Sequence, residues 1–247
     1  RKFGVLAREA AMKIIRKKMV PFVAGGTGLY IKSMLYGLFE DNPSVPEVRS
    51  SLKNEAEKFG AGVLHDRLKR VDPETAERLH PNDVQRIVRA LEVYEISGKP
   101  ISRLHSKHRF SEEKYDVLKI GLSLDREILY ERIDLRVDSM ISEGLLEEVR
   151  SLVERGYASE LKSLKAIGYS HMIDFLLGKL SWEEATETLK RDTRRYAKRQ
   201  MTWFRADPGI KWMEPSDIEA METVVEDFLK KNGRPSRDKM DRKGDPI

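Results

Sequence analysis

The chain has 247 residues, 40% of them hydrophobic and 35% charged, a net charge of +5 and no cysteine. That length suits one large domain or two small ones with a real core. The absence of cysteine excludes disulfides, thiolate catalysis and cysteine-bound zinc, and fits a reducing cytoplasm. No apolar run approaches the roughly 18 residues of a membrane-crossing helix, and the first residues read as an amphipathic helix, not a signal peptide.

In chain order, residues 3–18 predict a helix, with Val5, Leu6, Ala10, Ile14 and Ile15 at helical spacing. Residues 20–24 (VPFVA) form a short apolar run that reads as a strand, and the turn Gly25-Gly26-Thr27-Gly28 follows it. Residues 29–38 look helical. Strand, glycine turn and helix in this order predict an α/β unit with a parallel strand. The chain starts on Arg1 inside a helical pattern, so we expect the natural protein to have residues before it.

A polar break with two prolines occupies residues 39–46 (FEDNPSVP), and residues 47–106 then read as helix after helix with no strand signal. Asp72-Pro73 and Asn82 or Asp83 are N-cap signals, because their side chains can accept from free helix N–H groups. This stretch predicts a helical insertion. Strand character returns over residues 115–123. A helix opens at Asp125 and runs to about Met140, with Ile128, Leu129, Ile133 and Val137 apolar. Further helices are expected at 145–152 and 167–177. Ser181 and Glu184 make a capping box that opens a helix reaching Phe204. A last strand is expected at 209–213, a last helix at 218–229, and a disordered tail over 231–247. The domains expected from this order are an α/β core of residues 1–39 and 113–230, a helical insertion of 40–112, and the tail.

The charge is unevenly placed. Residues 188–205 carry Lys190, Arg191, Arg194, Arg195, Lys198, Arg199 and Arg205 against one acid, Asp192, a local +6. The tail adds +3, which leaves the rest of the chain at −4. Arg191, Arg195 and Arg199 step by four, with Arg194 and Lys198 beside them, so the sequence predicts a continuous positive ridge over about three helical turns. Leu189, Tyr196, Trp203 and Phe204 lie between the cations. Basic residues interleaved with aromatics suit a folded RNA, since cations meet phosphates and flat groups stack on unpaired bases. A solvated helix paired with acids is the other use of such a face, and a single acid within the ridge weighs against it.

Other motifs leave two readings open. The GGTG turn can aim backbone N–H groups at an anion or can be a tight turn; it is neither a Walker A loop nor Gly-x-Gly-x-x-Gly. Arg86 and Arg89 share a helix face opposite Ile87, Val88 and Leu91, which is the pattern of an ordinary amphipathic helix. Arg132 and Arg136 at i, i+4 could hold a diphosphate or pair with neighbouring acids. His105 and His108 have no third ligand at metal spacing, and His80 beside Pro81 reads as structural.

Five segments in order, VPFVAGGTGLYIKSMLYGL at 20–38, HPNDVQRIVRALEVYEISGKPIS at 80–102, LDREILYERIDLRVDSMISEGLLEEVRSL at 124–152, LKAIGYSHM at 164–172 and YAKRQMTWFR at 196–205, resemble the tRNA dimethylallyltransferases, also called tRNA isopentenyltransferases. The resemblance covers nearly the whole chain up to about Met213. It implies an α/β fold: a P-loop-kinase-like core with a parallel sheet, its N-terminal part missing here, plus an all-helical insertion domain. It implies transfer of a dimethylallyl group from dimethylallyl diphosphate to the N6 amine of the adenosine 3′ of the tRNA anticodon. Residue by residue, Arg136 matches a catalytic arginine that stabilises the departing diphosphate. Thr27 and Arg49 match tRNA contacts. So do three segments: Gln85, Arg86, Ile87, Val88 and Arg89; Lys165, Ala166, Ile167, Gly168, Tyr169 and Ser170; and Lys198, Arg199, Gln200, Met201, Thr202, Trp203, Phe204 and Arg205. The family often has Arg where Lys165 and Ser170 stand.

The resemblance also implies Mg²⁺ as cofactor, the tRNA anticodon stem-loop and dimethylallyl diphosphate as partners, no membrane, a monomer and a cytoplasmic location. This sequence departs from the pattern at the front. It contains neither a Gly-x-Thr-x-x-Gly-Lys-Ser/Thr loop nor the Asp of a DSxQ-like segment that serves as base, and the main Mg²⁺ ligands are expected with that loop. The expectation is a truncated enzyme, inactive by itself. An adenylate isopentenyltransferase acting on free nucleotides and a non-catalytic RNA-binding module are the alternatives; a long basic ridge is more than a mononucleotide needs.

Overall fold

Helix dominates the chain: twelve helices and two short strands are formed among the described residues. The computed structural model describes residues 2–37, 45–107, 115–157, 161 and 163–232. The expected break at 39–46 (save its last two residues), the expected boundaries near 40 and 113, His108 and the expected tail beyond residue 232 lie outside them. The chain divides into two compact units, one of Arg1–Val23 and Leu29–Asp116, the other of Ala24–Gly28 and Val117–Ile247.

The first unit holds α1 (Lys2–Arg16), most of α2 (Gly28–Tyr36), α3 (Pro46–Phe59), α4 (Ala61–Val71), α5 (Pro73–Arg78), α6 (Val84–Ser97) and α7 (Ile101–Lys107). Helix α1 lies close on α2: a Cβ at Gly4 would come within 2.9 Å of the Ser33 carbonyl oxygen, and Phe3 stacks on Tyr30 at 4.4 Å. The core is made by Leu52, Leu64, Leu68, Ala76, Ile87, Val88 and Leu91, from α3, α4, α5 and α6. Both expected capping signals form. Asp83 accepts from the Arg86 N–H at 3.3 Å. The buried Asp72 accepts from the Thr75 N–H at 3.1 Å and from the Ser102 N–H at 3.0 Å, so one carboxylate ties the starts of α5 and α7 together. Burial would raise its pKa, but the hydrogen bonds from Ser102 and Thr75 outweigh burial and hold it below the ordinary value.

The second unit holds β1 (Lys119–Leu122), α8 (Arg126–Ser142), α9 (Leu145–Glu154), α10 (Tyr169–Leu176), α11 (Trp182–Arg205), β2 (Ile210–Met213) and α12 (Ile218–Asn232). Strands β1 and β2 pair in parallel, Lys119 against Ile210 through Leu122 against Met213. A parallel pair needs a long crossover, and helices α8 to α11 supply it. The second core lies beneath them, built by Val137, Leu145, Val149, Leu164, Met172, Ile173, Ala185 and Leu189.

One expected element is corrected. Residues 20–24 form no strand. A strand exists through its ladder, and none of the described residues pairs with this run. Pro21 lacks an N–H, and Phe22 is 90% exposed. The fold is thus α/β with most of its residues helical and a small parallel sheet.

Candidate nucleic-acid interface

Helix α11 begins as the sequence predicts. The Glu184 N–H donates to Ser181 Oγ at 3.1 Å, and the Ser181 N–H donates to Glu184 Oε2 at 2.8 Å. Ala185 and Leu189 then bury its first turns in the second core. Its cations divide into two groups. Lys190 Nζ lies 2.7 Å from Asp138 Oδ1, and Arg194 Nη1 lies 2.6 Å from both oxygens of Asp134. Arg191 and Arg195 both reach Asp192, at 3.1 and 3.2 Å. The expected continuous positive ridge is therefore corrected: the four cations of its first half are all paired, sharing three carboxylates. Asp134 and Asp138 come from α8, one turn apart, 60 and 52 positions away in sequence, so counting acids within the ridge could not find them.

The second half of α11 is different. Lys198, Arg199 and Arg205 are exposed and have no carboxylate partner among the described residues. The Arg199 guanidinium lies over the Tyr196 ring, 5.6 Å from its centre, and Tyr196 and Trp203 are 41% and 47% exposed. Thr202 is exposed, whereas Gln200, Met201 and Phe204 are half-buried. Gln200 Nε2 donates to the Gly26 carbonyl oxygen at 3.0 Å. A Cβ on Gly26 would fall 2.2 Å from Gln200 Nε2, and one on Gly28 would fall 2.0 Å from Trp203 Nε1. Close approach to α11 thus accounts for these glycines, a cause that neither sequence reading of the turn contained. Thr27 sits exposed between them, beside the cationic end of the helix.

The segment of Lys165, Ala166, Ile167, Gly168, Tyr169 and Ser170 leads into α10. Lys165, Ala166 and Ile167 are exposed, Tyr169 and Ser170 half-buried, and Gly168 is buried with φ +98°, where only glycine is at ease. Tyr169 Oη donates to Glu148 of α9; that hydrogen bond raises the phenol pKa, with burial adding to it. The buried His171 lies with Nε2 3.4 Å from Asp192 Oδ2, which links α10 to α11. Burial would raise the Asp192 pKa, but the hydrogen bonds from Arg191 and His171 hold it below the ordinary value. Sequence reasoning missed Glu148 and His171, and it took Asp192 only as an isolated acid; no spacing signal joins them. Lys165 and Ser170 also line a cavity of about 260 Å³ with Ile173, Leu177 and Lys179.

On α8, Arg132 and Arg136 stand two positions from Asp134 and Asp138, roughly 200° around the helix. Both arginines are exposed, on the side away from the carboxylates that meet α11.

In the first unit, Arg49 of α3 and Arg89 of α6 both contact Glu92, at 2.7 and 2.8 Å. Arg86 pairs with Asp83 at 3.0 Å, and Gln85 is exposed. Ile87 and Val88 are core residues, 0% and 2% exposed, so the polar surface of this segment comes from Gln85, Arg86 and Arg89. Among the described residues no three His, Asp or Glu side chains are grouped to hold a metal. No described helix is long and apolar enough to cross a membrane.

A family model described as IPP transferase matches residues 1–207. A tRNA dimethylallyltransferase of Desulfatibacillum aliphaticivorans is 51% identical over 227 residues, 92% of this chain and 74% of that protein. One of Geobacter sulfurreducens is 49% identical, over 85% of this chain and 68% of that protein. The crystal structure of a tRNA isopentenylpyrophosphate transferase from Bacillus halodurans superposes with a TM-score of 0.61 at 36% identity, over 93% of this chain and 73% of that one. A eukaryotic dimethylallyltransferase captured acting on tRNA gives 0.69 at 27% identity, over 95% and 62%. A match that starts at α1 and runs past the end of α11, with relatives this close over most of the length of both chains, makes this chain a member of the IPP transferase family.

Proposed function

We propose that this protein prenylates tRNA, transferring a dimethylallyl group from dimethylallyl diphosphate to the N6 amine of the adenosine 3′ of the anticodon. Family membership carries the reaction class. The observation that carries the RNA-binding half is the second half of α11, where Lys198, Arg199 and Arg205 stand exposed, without carboxylate partners among the described residues, beside the exposed rings of Tyr196 and Trp203. Cations of that kind meet backbone phosphates, and rings of that kind take up an unstacked base. Thr27 lies beside them and serves as a contact near the reacting adenosine, and the segment from Lys165 to Ser170 adds a second contact surface.

Breaking the allylic C–O bond builds negative charge on the diphosphate and positive charge on the prenyl carbon. The guanidinium of Arg136, exposed and without a carboxylate partner among the described residues, serves the first need. The base must leave its stack, which costs a few kcal/mol, and the RNA grip offsets that cost. When bound, Mg²⁺ would neutralise charge on the diphosphate; no step here is routed through it. We read β1, β2 and the second-unit helices as part of a P-loop-kinase-like core, residues 40–112 as its helical insertion, and the protein as a cytoplasmic monomer.

The test is transfer of labelled dimethylallyl from its diphosphate by the full-length protein to an unmodified tRNA with adenosine 3′ of the anticodon. Label should enter that tRNA and not its guanosine-substituted form. Equal transfer to AMP would assign the protein to the adenylate isopentenyltransferases instead.

A further inference from the structure

We infer that Gln200 is a positioning residue that acts through the Gly26-Thr27-Gly28 turn rather than on the RNA, and so sets where Thr27 meets the reacting adenosine; this rests on the reading of Thr27 as a contact near that base. Residues 19–27 belong to no helix or strand, so the turn takes its position from what it lies on. It lies on α11. Gln200 Nε2 donates to the Gly26 carbonyl oxygen at 3.0 Å. The same amide fills the space that a Cβ on Gly26 would need, and the Trp203 indole fills the space beside Gly28.

Three features point past a purely structural role. Neither Gly26 nor Gly28 has a positive φ, so backbone freedom does not account for these glycines and contact with α11 does. Gln200 and Trp203 stand at i and i+3, on one helix face, and the glycines they meet flank Thr27, which is left exposed. The helix thus grips the turn on both sides of its hydroxyl-bearing residue. Gln200 is also uncharged and half-buried, whereas Lys198 and Arg199 beside it are exposed cations suited to phosphates. The groups that hold RNA and the amide that holds the turn are therefore neighbours on one helix, which keeps the bound phosphates and Thr27 at a fixed spacing. Such a spacing matters for rate, because a shift of about 1 Å in a positioning group slows a reaction without loosening binding.

The experiment measures single-turnover transfer by the full-length protein to an unmodified tRNA, at saturating substrates, with tRNA Kd determined in parallel. Gln200→Met keeps the length and helix preference of the side chain and removes its donor. It should slow transfer about tenfold, the size of one lost hydrogen bond, with Kd and its salt dependence as in the parent. Gly26→Ala pushes the amide off the carbonyl oxygen, should slow transfer by a similar factor, and decides the matter if Gln200→Met does not fold. Because both changes act through one contact, the double variant should be no slower than the slower single variant. A raised Kd with the parent rate at saturation would make Gln200 an RNA contact and overturn the positioning role, as would rate losses that multiply in the double variant. Thr27→Val tests the underlying reading. If it transfers at the parent rate, the reading of Thr27 falls. If it is slow while Gln200→Met and Gly26→Ala keep the parent rate, the positioning role alone is overturned.

Discussion

The two halves of the α11 ridge are both rich in cations and have opposite surroundings. From Lys190 to Arg195 each cation has a carboxylate: Asp138 and Asp134 from α8, and Asp192 within the helix. From Lys198 to Arg205 none has one among the described residues, and the helix meets the glycine turn instead. A cation already holding a carboxylate has little attraction left for a phosphate, so charge counted along a helix overstates what the helix can bind. The first half fastens the helix to the fold, and the second half is left to bind. Helix α8 divides the same way around its circumference, with Asp134 and Asp138 toward α11 and Arg132 and Arg136 away from it.

The largest expected effect tests the outer face of α8. Arg136→Ala in the full-length enzyme should slow prenyl transfer about a hundredfold, the usual loss of one preorganised charge donor, with tRNA affinity unchanged. An equal loss of affinity would place Arg136 in the RNA grip instead. Next comes a matched pair on α11. Lys198→Ala/Arg199→Ala should weaken tRNA binding about tenfold or more and flatten the salt dependence of log Kd by roughly two. Lys190→Ala/Arg194→Ala removes the same charge but should chiefly lower thermal stability by a few degrees, because Asp138 and Asp134 lose their partners. Equal salt slopes for the two double variants would erase the division.

The turn provides a smaller contrast. Gly28→Ala drives a Cβ into the rigid Trp203 indole and should cost roughly 1–3 kcal/mol in urea unfolding. Gly26→Ala meets only the flexible end of Gln200 and should cost less. The reverse order would mean that the turn does not rest on α11. The smallest effect is on pH. Asp192 has a folded-state pKa below its ordinary value, so its contribution is present above the unfolded value of about 3.9 and is lost as pH falls through the folded one. Asp192→Asn should therefore lower Tm slightly at pH 6, and the gap to the parent should close on acidification below pH 4. A gap that stayed constant would deny the carboxylate its role in tying α10 to α11.

Most of the fold was legible where the signal is local. The Ser181/Glu184 box, the caps at Asp72 and Asp83, the core positions Ile87, Val88 and Leu91, and the two strands at 119–122 and 210–213 all follow from side chains within a turn or two of each other. The run at 20–24 failed because strand character in a sequence states only a tendency, and a ladder requires a partner. The candidate site was legible as a set of residue types and through family likeness. It was not legible as a set of partnerships.

The sequence by itself determined most of the helices, their starts and the family, because capping, periodicity and motif order are properties of neighbouring residues. Tertiary structure alone decided which cations of α11 are paired, why Gly26 and Gly28 are glycine, and that Arg49 and Arg89 share Glu92. Those contacts join residues 52, 60, 174 and 43 positions apart. Coulomb attraction and steric contact depend on distance in space, and the packing of the helices sets that distance.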